Sequence, residues 1–66
     1  MKEDLVNSLI GHAHGEIAYH KANVHVYLTN PTGIGEHSDV MGAIATELDA
    51  IARYHDQVEV LERYFK

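Results

Sequence analysis

Any chemistry in this chain has to come from imidazole and carboxylate. Its 66 residues include six histidines and ten acidic residues but no cysteine, which removes thiolate nucleophiles, disulfides, cysteine zinc sites and iron–sulfur clusters. His12, Glu16 and His20 follow one another at i+4 steps, and with His55 from the second half they are the candidate metal ligands. Imidazole and carboxylate together suit zinc, or iron with open positions. The spacing weighs against convergence, because at 100° per residue the three drift by about 80° around a helix over two turns. The Glu-x-x-His pairs of bundle di-iron proteins are missing, and so is His-Glu-x-x-His. The competing reading makes His20 and His55 hydrogen-bonded polar members of a helical seam and leaves His12, His14, His25 and His37 in solvent.

Catalytic motifs are not evident. There is no nucleophile elbow, phosphate loop or paired-carboxylate arrangement, and neither Ser8, Ser38 nor any tyrosine has a flanking group that would activate it. Gly33-Ile34-Gly35 resembles a phosphate cradle only superficially: Glu36 and Asp39 would repel an anion and no lysine follows. The sequence therefore assigns no catalytic residue and implies no cofactor. Five basic against ten acidic residues give a formal net charge of −5, which disfavours nucleic acid as a partner. No run approaches the roughly 18 to 20 apolar residues that cross a bilayer, and the acidic Met1-Lys2-Glu3-Asp4 start does not read as a secretory signal. The expectation is a cytoplasmic protein with no membrane partner.

The elements that would position these groups are two helices. Val6, Ile10, Ala13, Ile17, His20, Val24 and Tyr27 recur at alternating spacings of four and three, a seam of the a/d type. An alternative strand over Val24-His25-Val26-Tyr27-Leu28 would have no partner in so short a chain. Pro31, Gly33 and Gly35 then mark a reversal. Beyond it Ser38 is the expected N-cap, with Asp39 in the first turn. Met41, Ile44, Leu48, Ile51, His55 and Val58 form the second seam, extended by Leu61 and Phe65. Asp49 with Arg53, Glu59 with Arg63 and Glu62 with Lys66 are acid-first i,i+4 pairs for its outer face. The expected fold is all-α, a single domain over 1–66: a two-helix antiparallel hairpin with helices at about 3–29 and 38–65 and a connection at about 30–37. The seams align with Val24 beside Ile44, His20 beside Leu48, Ile17 beside Ile51, Ala13 beside His55 and Ile10 beside Val58, with Ile34 closing the turn end.

One hairpin offers only one interface, and scaffolds below about 70 residues gain little from a single small core. Gly11, Gly15, Ala18 and Ala22, spaced four, three and four, project about 170° away from the first seam. Glycine in a helix interior costs up to about 1 kcal/mol relative to alanine, so this face is either a tolerated surface or a close-approach surface for self-association. Self-association into a homodimer forming a four-helix bundle, or a tetramer, follows as the expectation. With His20 and His55 neutral in the interface, assembly would weaken between about pH 7 and pH 5 as they charge.

The run from Ala22 to Pro31, continued by Gly33-Ile34-Gly35-Glu36-His37-Ser38-Asp39, together with the run from Glu47 to Phe65, resembles small uncharacterised proteins of T4-like tailed phages, marine ones especially. Asn-Pro-x-Gly-Ile-Gly-Glu-His is its most distinctive part. The resemblance implies a viral origin, with the host cytoplasm as location, and brings no activity or catalytic residue. The function expected is a non-enzymatic interaction or assembly component. The alternatives are a histidine-rich metal-binding or metalloenzyme subunit, and a host-directed regulator that binds another protein through the small-residue face.

Overall fold

The computed structural model describes residues 1–29 and 39–66. It consists of α1 (Lys2–Thr29) and α2 (Val40–Tyr64), packed against each other along their length as an antiparallel pair. The connection, including Pro31, the Gly33-Ile34-Gly35 turn, Ile34 and Ser38, lies outside the described residues. Val24 to Leu28 are helical, and there is no strand among the described residues. None of these helices is long and apolar enough to cross a membrane.

Local chemistry accounts for the helix ends. Glu3 and Asp4 occupy the first turn of α1, where carboxylates complement the positive end of the helix dipole. Its other end is closed by the Thr29 hydroxyl, which donates to the His25 carbonyl at 2.8 Å. The N-cap of α2 is Asp39, not Ser38: the Asp39 carboxylate accepts from the Gly42 N–H at 2.9 Å, and the Asp39 carbonyl accepts from the Ala43 N–H at 2.9 Å. Aspartate caps as well as serine does, so α2 starts two residues later than the expected position 38. Arg63 sits in its last turn and pairs with Glu59 at 3.1 Å. The expected Asp49–Arg53 pair does not form, because Arg53 turns onto Tyr54.

The α1 seam is as its periodicity predicts. Val6, Ile10 and Ala13 are buried, and Ile17, His20, Val24 and Tyr27 are half-buried. The α2 seam differs. Met41 is 80% exposed and Leu48 50% exposed, Phe65 is exposed too, and His55 faces solvent. Instead the contact stripe runs Val40, Ile44, Glu47, Ile51, Tyr54, Val58 and Leu61, again at alternating spacings of four and three. Relative to the expected stripe, α2 is turned by about 50° on its axis at 100° per residue. The physical reason is polar: this rotation gives His20 a carboxylate, whereas the expected one would have faced it with Leu48.

Burial is thin. Among the described residues only Val6, Ile10, Ala13 and Val58 are buried, with Ile17, Tyr54 and Leu61 packed against them. This core lies toward the end where the two termini meet. There a groove of about 420 Å³ is lined by Lys2, Val6 and Asn7 on one side and by Tyr64, Phe65 and Lys66 on the other. The molecule is a rod of 49 × 15 × 14 Å.

Candidate functional site

Beyond the apolar core, toward the connection, the helices are joined by side-chain hydrogen bonds. Glu47 Oε1 lies 2.7 Å from His20 Nδ1 and accepts from the Asn23 side-chain amide at 2.9 Å. Both α1 residues fall on one face because they are three apart, and Glu47 stands opposite them by the rotation of α2. Two donors on one oxygen, His20 foremost and Asn23 next, hold the Glu47 carboxyl below the usual glutamate range, against a smaller opposing effect of burial. With Glu47 ionised, the His20 Nδ1–H is the donor and Nε2 is turned away from this contact.

Aromatic rings surround the pair. The Tyr19 ring stands edge-on to His20 at 5.0 Å, and Tyr54 stacks on His20 at 6.4 Å with the planes 15° apart. His12 meets the other part of Tyr54 edge-on at 5.9 Å. The Tyr54 hydroxyl donates to Glu16 Oε1 at 3.4 Å and accepts from Arg53 at 3.3 Å, while the Arg53 guanidinium lies 4.9 Å from the Tyr54 ring centre. Every buried side-chain polar atom among the described residues has a partner.

An imidazole oriented by a carboxylate is half of a general-base arrangement. The other half would be a hydroxyl placed on the imidazole, and no described hydroxyl is hydrogen-bonded to His20. The geometry fits a specifying role: charge-assisted hydrogen bonds across a helix pair fix rotation and register. Of the four candidate metal ligands, His12 packs on Tyr54, Glu16 is held by the Tyr54 hydroxyl, His20 is committed to Glu47, and His55 is exposed on another side of α2. No group of three histidine, aspartate or glutamate side chains among the described residues is arranged to hold a metal ion. Within the hairpin His20 is in the seam as expected and His55 is exposed.

Glu47 and Tyr54 are the residues that pattern reading missed. Their signal was present: the stripe through Val40, Ile44, Glu47, Ile51, Tyr54, Val58 and Leu61 is as regular as the one through Met41, Leu48 and His55, and it alone supplies an acid for His20.

The outer surfaces of the hairpin are of two kinds. Gly11, Gly15, Ala18 and Ala22 are exposed on the side of α1 away from α2, and a Cβ added at Gly11 or Gly15 would meet nothing within 4 Å. The hairpin itself gives no reason for glycine there. On a flank of α1, Leu5, Leu9, Tyr19 and Val26 are each more than half exposed. With His12, Glu16 and Asn23 between them they form a second stripe at spacings of four and three. On the same side, Leu9 lines a groove of about 290 Å³ with Asp56, Gln57, Val60 and Leu61 of α2. Comparison with known protein families, with curated proteins and with solved structures gives no match to this chain.

Proposed function

We propose that this protein is a non-enzymatic, self-associating helical hairpin that works as an interaction or assembly component, two copies completing a four-helix bundle. The observation that carries the reading is the set of large apolar side chains left exposed on an elongated chain. Size scaling gives a folded 7.4 kDa monomer about 4,200 Å² of accessible surface, whereas this chain exposes 5003 Å², polar and apolar together. The excess reflects the elongated shape. Its radius of gyration is 15.0 Å, against about 11 Å for a compact domain of this length. A rod two helices wide cannot cover Leu5, Leu9, Tyr19, Val26, Met41, Leu48 and Tyr64, and burying such side chains is worth about 1.5 to 3 kcal/mol each.

The resemblance to small proteins of T4-like phages fits a small assembly component of viral origin, acting in the host cytoplasm. Sedimentation equilibrium tests the proposal directly. The expected result is a mass of twice 7.4 kDa at micromolar concentration, with a melting temperature that rises with concentration. A folded monomer with a concentration-independent melting temperature overturns it.

A further inference from the structure

We infer that the second copy seats on the flank carrying Leu5, Leu9, Tyr19 and Val26, with the two hairpins side by side, pointing the same way and related by a twofold axis along the rod. This rests on the self-association reading and names its surface.

Three observations lead to it. The stripe lies about 100° around α1 from the seam that meets α2, close to the right angle at which a helix in a four-helix bundle meets its two neighbours. The apolar residues of α1 are accordingly spread around the helix, whereas those of α2 concentrate on one side. Secondly, the flank continues across both helices. The Leu9, Val60 and Leu61 groove and the contacts of Tyr54 with His12 and Glu16 put the exposed side of α2 in the same plane. A copy on the glycine–alanine face would touch α1 alone and leave Val60 and Tyr64 in water.

Thirdly, the flank is complementary to itself under this one rotation. Turning a copy about the rod axis lays each α1 over the other copy's α2 at unchanged height. Leu5 and Leu9 then meet Tyr64 and Val60. Glu16 meets Arg53, and the bulky Tyr19 and Val26 meet the half-buried Ala50 and Ala43. Apolar faces apolar, acid faces base, and large faces small. An end-over-end rotation centred on α1 instead sets Glu16 against Glu16.

Charge exchange between copies tests this. Glu16→Arg alone and Arg53→Glu alone each put like charges across both equivalent contacts, and each is expected to weaken dimerisation about tenfold or more. An equimolar mixture of the two variants restores opposite charges at both contacts and is expected to give a mixed dimer by native mass spectrometry. Because Glu16 and Arg53 also touch Tyr54 within the chain, Leu5→Glu and Val26→Glu provide the second measurement: dimer lost, helical circular dichroism retained. If those variants and the single charge variants dimerise like the natural chain while Gly15→Leu does not, the surface is wrong and self-association stands. If only the charge variants dimerise normally, the parallel arrangement is wrong. If the natural chain is a folded monomer at every concentration, the underlying reading falls as well.

Discussion

Glu47 joins the two helices through a single oxygen, and that makes it the residue whose titration should be visible in stability. Its carboxyl is held below the usual range because the ionised form keeps the His20 and Asn23 hydrogen bonds. A lowered folded-state value means the unfolded chain takes up the proton first. The contribution is therefore complete above the ordinary glutamate value of about 4.5 and is lost as pH falls through the lowered one. Glu47→Gln keeps an acceptor for both donors but removes the charge. Thermal melts from pH 7 to pH 3 should show the variant less stable at neutral pH, with the gap closing below about pH 4.5. A gap independent of pH would show that the charge on Glu47 contributes nothing.

At the level of the helices, the start of α2 depends on a carboxylate and a glycine acting together. Replacing Asp39 by alanine removes the acceptor of the Gly42 N–H and should lower stability by about 1 kcal/mol. Gly42→Ala carries the usual helix-propensity gain of about 1 kcal/mol, but its Cβ would fall onto the Asp39 carboxylate, 2.9 Å from Cγ, and push it off the cap. The same substitution at Gly11, where space is open, keeps the whole gain. Denaturant melts of the two variants at a concentration where the chain is monomeric should rank Gly11→Ala above Gly42→Ala; equal gains would mean the cap has no energetic weight. The helices also show what periodicity can and cannot reveal. In α1, the stripe through Val6, Ile10, Ala13 and Ile17 continues at spacings of four and three as far as Tyr27 with His20 as its one polar member, whereas the stripe through Leu5, Leu9, Tyr19 and Val26 is interrupted by His12, Glu16 and Asn23, and that continuity picks out the seam. In α2, Ile44, Ile51, Val58 and Leu61 belong equally to two stripes, one completed by Met41, Leu48 and His55 and the other by Glu47 and Tyr54. Hydropathy favours the first, and a partner for His20 selects the second. That information lies in the other helix, 27 residues away, so no local pattern contains it. Likewise Ser38 and Asp39 are equivalent caps by residue type, and only the hydrogen bond to Gly42 distinguishes them.

Taken whole, the molecule divides its adhesion unevenly along the rod. Val6, Ile10, Ala13 and Val58 form an apolar clasp in the half nearest the termini, while in the half toward the connection the apolar seam residues Val24, Tyr27, Val40 and Ile44 are only half-buried and Glu47 with His20 and Asn23 supplies the hydrogen bonds. Water competes for the second kind of contact far more effectively than for the first. Opening should consequently start at the connection and travel toward the termini, reversing the ordinary habit of chains to fray from their free ends. Amide hydrogen–deuterium exchange is the measurement: Ile10 to Ala13 and the turn around Val58 should exchange slowest, and Val24 to Thr29 with Val40 to Ala45 fastest. Uniform protection along both helices would count against this order. If it holds, a protease would find its first purchase on the helical turns from Val24 to Thr29 and from Val40 to Ala45, and not at the chain ends where proteolysis ordinarily starts.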